Sequence, residues 1–114
     1  MTLDQFRKVA LSLPGVEERA HMAHPDFRVA GKIFATLEYP DQEWGMVALT
    51  PEQQEDYVQS HPDVFVPAAG VWGRRGATLV RLKAADLETV GSAMTLAWRN
   101  RSQKSPPKRR RGTS

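Results

Sequence analysis

The chain has 114 residues, 40% of them hydrophobic, and no cysteine, which suits one domain with an ordinary core and excludes disulfides, thiolate metal sites and a cysteine nucleophile. The formal charge of +3 is unevenly placed: residues 99–114 carry seven basic side chains (Arg99, Arg101, Lys104, Lys108, Arg109, Arg110 and Arg111) and no acid, so residues 1–98 hold nine basic against thirteen acidic ones, a net of −4. The body is mildly acidic, and nucleic-acid binding cannot rest on bulk charge.

Leu3, Phe6, Ala10 and Leu13 recur at helical spacing and predict a first amphipathic helix over 2–13. Thr2 with Gln5 forms a capping-box pattern, and Pro14-Gly15 ends the helix. The opening Met1–Lys8 lacks the apolar run of a signal peptide, and the longest uncharged apolar stretch, Val64–Trp72, has nine residues and contains Pro67 and Gly70. That is too short to span a bilayer, so no membrane partner and a cytoplasmic location are expected.

From Glu17 to Leu49 the pattern changes to short β-type runs: Arg19–Met22, Phe27–Val29, Lys32–Leu37 and Gly45–Leu49. Ala30-Gly31 suits a tight hairpin turn, and Tyr39–Glu43 a polar turn. Simple alternation puts Ile33, Ala35 and Leu37 on one face and Phe34 and Thr36 on the other, with Lys32 and Trp44 sharing a face. Thr50-Pro51-Glu52-Gln53 combines a capping threonine, a proline at the first helical position and a glutamine that closes the box. It predicts a helix over 51–60, stopped by His61-Pro62.

Val64–Val66 reads as a short extended segment, Pro67–Gly76 as a glycine-punctuated loop, and Thr78–Leu82 as a last strand. Leu87, Val90, Met94, Ala97 and Trp98 form one helical stripe and predict a final helix over 85–101, its buried face including Leu87 and Trp98. The order is α-β(3–4)-α-β2-α. Short connections between successive strands imply a two-layer α+β fold, an antiparallel sheet packed on helices. This domain spans residues 1–101. Residues 102–114 are rich in Ser, Pro, Lys and Arg and are expected to be a disordered basic tail.

Leu13-Pro14-Gly15-Val16-Glu17-Glu18, His24-Pro25-Asp26-Phe27-Arg28-Val29-Ala30-Gly31-Lys32-Ile33-Phe34-Ala35, Leu49-Thr50-Pro51-Glu52-Gln53, Val71-Trp72-Gly73-Arg74-Arg75-Gly76 and Ala97-Trp98-Arg99 occur in this order. Together they resemble the MmcQ/YjbR family over nearly all of residues 1–101. The resemblance implies a compact α+β domain of the secretion-chaperone-like or double-wing type, and a family commonly labelled DNA-binding. It supplies no catalytic residues, and the basic tail lies outside it.

Among possible constellations, His21 and His24 with Glu17, Glu18 and Asp26 offer metal donors, but a strand end and a proline turn do not make them converge. The expectation is no metal, with His24 and Asp26 bonding the backbone of the turn. Glu17 and Glu18 are strand neighbours on opposite faces and do not share a site. No serine sits in a nucleophile-elbow pattern. Gly70-x-x-Gly73-x-x-Gly76 lacks the Lys-Ser/Thr ending of a phosphate loop. The reading is therefore non-enzymatic, without a cofactor.

The Trp72-Gly73-Arg74-Arg75 segment sets an indole beside two guanidinium groups, an arrangement that stacks on bases and binds phosphate. The competing reading buries Trp72 in the core and pairs the arginines with Asp or Glu elsewhere on the acidic body; burial is the expectation for Trp72, and exposure for the two arginines. The candidate nucleic-acid residues are Lys32, Trp72, Arg74, Arg75, Arg99 and Arg101, with Lys104, Lys108, Arg109, Arg110 and Arg111 of the tail, and the expected partner is DNA, bound non-specifically or with weak specificity. Rival readings are a protein-interaction or chaperone-like module, and a binder of an anionic small molecule near Arg28, Lys32, Arg74 and Arg75. A contiguous positive face favours the first reading, a large apolar patch the second, and a deep pocket with convergent polar groups the third. A monomer is expected.

Overall fold

A computed structural model describes residues 1–21 and 24–102. Helix α1 (Leu3–Leu11) starts at the Thr2/Gln5 capping box, both of whose bonds form, and buries Phe6 and Ala10. Strands β1 (Glu17–His21), β2 (His24–Val29), β3 (Lys32–Leu37) and β4 (Trp44–Ala48) follow, then α2 (Pro51–Ser60), β5 (Phe65–Pro67), α3 (Gly70–Arg74), β6 (Ala77–Arg81), a 3₁₀ turn at Leu82–Ala84 and α4 (Leu87–Ser102). The six strands form one antiparallel sheet in the order β1-β2-β3-β4-β6-β5. The fold is α+β, as the sequence predicts.

Local chemistry explains the frame. Ala30 and Gly31 both take positive φ, 54° and 78°, as the two-residue β2–β3 hairpin requires. The Thr50/Pro51/Gln53 box caps α2 with both reciprocal bonds in place. Helices α1 and α4 cover one face of the sheet. Phe6, Phe27, Phe34, Ala35, Leu37, Val47, Val80, Val90, Met94 and Ala97 meet there in a closed core. Gly45 lies directly under Phe6: a Cβ there would come within 2.7 Å of the Phe6 ring. Tyr57 of α2 stacks edge-on against Phe65 and so holds α2 to the β5 edge.

Four expectations are corrected here. The segment after Pro67 is not all loop, because Gly70–Arg74 forms one turn of helix pressed onto the Ala68 backbone. Only glycine permits that approach: a Cβ on Gly73 would lie 1.7 Å from the Ala68 carbonyl oxygen. The faces of β3 do not alternate simply. The register with β2 slips between Phe27 and Arg28, so Phe27 pairs with Ala35 but Arg28 with Ile33. The extra residue is Phe34, which joins the core with Ala35 and Leu37 and leaves Ile33 with Thr36 on the opposite face. In α4 the buried stripe is Val90, Ala93, Met94 and Ala97. Leu87 is 54% exposed, because it opens the helix before the sheet is reached, and Trp98 is only half-buried, its indole donating to the Pro14 carbonyl. Lys32 and Trp44 do not share a face. Lys32 pairs with the core residue Val29, whereas Trp44 alternates with Gly45 and points away from the core.

Candidate functional site

The face not covered by α1 and α4 carries a groove of about 470 Å³, within the range of small-ligand sites. Strand register explains why it is there. Across this face Asp26 pairs with Thr36, Thr36 with Met46, and Ala48 with Ala77. Ala68 lies beside Ala77, its amide donating to the Ala77 carbonyl at 2.9 Å. Three neighbouring alanines leave a hollow where larger side chains would fill the floor. Ile33 and Arg101 line one side, and Trp72 lines another.

The polar end of the groove comes from period-two residues of β2. Asp26 is fully buried and receives a bidentate fork from Arg28, Nε to Oδ1 at 2.9 Å and Nη2 to Oδ2 at 3.2 Å. This hydrogen-bonded pair holds the Arg28 guanidinium above its ordinary pKa despite some desolvation. It also neutralises the one carboxylate in the lining. His24 stacks edge-on against Tyr39, ring centres 5.7 Å apart at 89°. Among the described residues His24 and Asp26 make no side-chain bond to backbone, and residues 22–23 of the turn lie outside them. Both residues lie within a strand, where Asp26 bonds Arg28 and His24 Nδ1 has no hydrogen-bond partner among the described residues. Thr36 Oγ1 is likewise buried without a partner. Among the described residues no three His, Cys, Asp or Glu side chains are grouped to hold a metal ion, and no helix is long and apolar enough to cross a membrane.

Trp72 is not a core residue. It is 66% exposed and stands on α3 at the groove wall. The seat of α3 is fixed from below: Gln54 Nε2 of α2 donates to the carbonyls of Gly73 and Ala77, both at 3.0 Å. Gly76, at φ 111°, passes so close to the Leu49 carbonyl that no Cβ would fit. Arg74 and Arg75 are exposed beside Trp72 and form no ion pair among the described residues. Arg101 reaches the groove from the end of α4, and its Nε donates to the Ile33 carbonyl at 3.2 Å. Asn100 anchors that helix end through Ala48 O at 3.1 Å and Gln53 Oε1 at 2.8 Å.

The candidate residues therefore separate. Trp72 and Arg101 line one groove, and Arg74 and Arg75 follow Trp72 directly. Arg99 is exposed on the last turns of α4, two residues from Arg101 and so on a different side of the helix. Lys32 reaches the same end of the sheet but on the helix-covered side. Arg28 is engaged by Asp26, which removes it from the proposed anion cluster. Lys104, Lys108, Arg109, Arg110 and Arg111 lie outside the described residues. The starts of β3 and β6, the end of β4 and the end of α4 bring Lys32, Arg74, Arg75, Arg99 and Arg101 to one end, where β1 also starts with Glu17 and Glu18, whereas Glu38, Asp41 and Glu43 occupy the turn at the other end, near Arg81. The sequence reading missed the groove floor. The period-two run His24, Asp26, Arg28 was its one local sign, since polar residues alternating along a strand mark a face that is not core.

A crystal structure of a Deinococcus radiodurans protein of the DUF419 domain class superposes with a TM-score of 0.76 at 20% identity, covering 94% of this chain and 83% of that one. At that identity the likeness speaks for the fold. No curated protein matches the sequence significantly. The family model named YjbR matches residues 11–100, a span that takes in the groove floor, α3 and its arginines, and the chain belongs to the YjbR family.

Proposed function

We propose that this domain is a non-enzymatic binder of single-stranded DNA that uses the open sheet face. The observation that carries the reading is Trp72: an indole two-thirds exposed, at the wall of an apolar groove, followed by two arginines that form no ion pair among the described residues. An exposed indole offers a broad apolar face on which a planar ring can stack. Bases do so at about 1–3 kcal/mol each. Arg74, Arg75 and Arg101 supply phosphate contacts from one end of the sheet, which offsets the acidic body within a Debye length of about 8 Å. Helix α4 ends at Ser102 at this same end, and five further basic residues follow it in the sequence. The helix at the groove wall, α3, has only five residues, short for a recognition helix lying in the major groove of a duplex.

The test is a salt series on a short oligothymidylate, with the full chain beside a chain ending at Ser102. The slope of log K against log salt flattens by up to about 3.5 units when the five tail charges are lost. Residual binding by the shorter chain disappears in Arg74→Ala with Arg75→Ala. If the shorter chain binds no strand at low salt but does bind free anionic aromatics, the groove serves a small molecule instead.

A further inference from the structure

Two polar atoms of the groove are unaccounted for. His24 Nδ1 and Thr36 Oγ1 are buried with no hydrogen-bond partner among the described residues, and both side chains line the same end of the groove. Buried polar groups in folded proteins are almost always bonded, and an unmade bond is costly. Two such groups in one pocket, beside a neutralised carboxylate, point to a partner that the described residues do not supply.

We propose that this end of the groove reads the hydrogen-bonding edge of one unstacked nucleobase, with the ring lying over Ala48 and Ala77 and its phosphate on Arg101. The proposal rests on the strand-binding reading only for the source of the base. A free nucleotide carries the same chemistry. The ligand class follows from the lining. The alanine floor carries nothing beyond Cβ and admits a planar ring, and Trp72 and Tyr39 line the groove with it. Arg101 spends Nε on Ile33 O, which leaves its two Nη groups for an anion. A hydroxyl both donates and accepts, and a neutral imidazole nitrogen does one or the other according to tautomer. Both atoms are covered in the structure, and rotation of Thr36 about χ1 and of His24 about its side-chain torsions turns them to the groove that their residues line, without any backbone movement. A base whose edge complements them is preferred over one that leaves them unpaired.

The experiment uses the full chain with oligothymidylate, oligoadenylate and oligocytidylate of one length, an abasic strand of the same length, and the free nucleoside 5′-monophosphates. Wild type ranks the three bases with at least ~5-fold between best and worst, and the abasic strand binds more weakly than any of them. Thr36→Val with His24→Phe compresses that ranking to within about 2-fold while the abasic affinity stays unchanged. Thr36→Val alone keeps the shape, removes an unpaired hydroxyl and folds at least as stably, so a loss of ranking in it is not a folding defect. Trp72→Ala lowers affinity for every base-bearing strand in parallel and keeps the ranking. The proposal is overturned if wild type binds all strands alike, or if the ranking survives both floor substitutions. If no strand binds, yet the monophosphates are ranked and lose their ranking in the variants, the base pocket stands and the strand-binding reading falls. If neither strands nor monophosphates bind, both fall.

Discussion

Exchanging tryptophans separates structure from function in this chain. Trp72 is 66% exposed on α3, whereas Trp98 packs against the core and donates its indole N–H to Pro14 O at 2.9 Å. A tryptophan carries roughly 200 Å² of contact surface, and about a third of that is covered at Trp72, so at ~25 cal/mol/Å² its loss costs at most about 1.5–2 kcal/mol of stability. The figure is an upper bound, since the unfolded chain also buries part of the ring. Trp98→Ala loses more: over half of a ring against the core, plus a hydrogen bond worth about 1 kcal/mol, placing it at about 3.5–4 kcal/mol. For binding the order reverses. Trp72→Ala removes a stacking platform worth about 1–3 kcal/mol per base, which weakens the dissociation constant for oligothymidylate by roughly 5- to 150-fold. Trp98→Ala leaves it unchanged at temperatures where the variant is folded. Thermal melts and fluorescence anisotropy at one fixed salt concentration read the two quantities. If Trp72→Ala binds as wild type does, or if it loses 3 kcal/mol or more of stability, Trp72 is a structural residue and the argument for the groove fails.

Other outcomes follow from the same geometry. Gly73→Ala drives a Cβ into the Ala68 carbonyl, a contact of 1.7 Å against backbone that cannot yield; α3 lifts from Gln54, and both the melting temperature and oligothymidylate affinity fall. Met94→Ala empties the fully buried centre of the α4 stripe and costs about 2–5 kcal/mol in urea unfolding, without affecting oligothymidylate affinity at temperatures where the variant is folded. Asp86 caps α4 through the Thr89 amide at 2.7 Å, and that bond holds its carboxyl below the ordinary range. A depressed folded-state pKa stabilises above the unfolded value and is lost as pH falls through the folded one, so wild type loses melting temperature on acidification and Asp86→Asn loses less over the same range.

Much of the frame was legible. The capping boxes at Thr2 and Thr50 and the Ala30-Gly31 hairpin are local signals whose chemistry is complete within four residues of sequence, and the central part of the α4 stripe is a periodicity complete within one helix. What was missed depends on contacts distant in sequence. The bulge at Phe34 arises from pairing with β2 and cannot be seen in β3 alone, where strict alternation sends Ile33 to the wrong face. The α3 turn exists because Gly73 can touch Ala68 and Gln54 can reach its carbonyls, both tertiary facts. Leu87 fits the helical period, but the sheet does not extend under the first turn. For the site, the Trp72-Arg74-Arg75 cluster stood out by composition. The alanine hollow did not, because Ala48, Ala68 and Ala77 become neighbours only through the β4–β6 register and the Ala68–Ala77 bond. Arg101 was legible as a charge; its place in the groove follows from the length of α4.

The most direct test of the groove as a single-strand site is an amide and indole NMR titration of the full chain with a short oligothymidylate at low salt. The account predicts that the Trp72 indole N–H and the amides of Thr36, Ala48 and Ala77 shift together and saturate at one strand per chain, while the Trp98 indole, bonded to Pro14, stays in place. Shifts confined to residues beyond Ser102, or spread over α1 and α4 with the groove unmoved, contradict it.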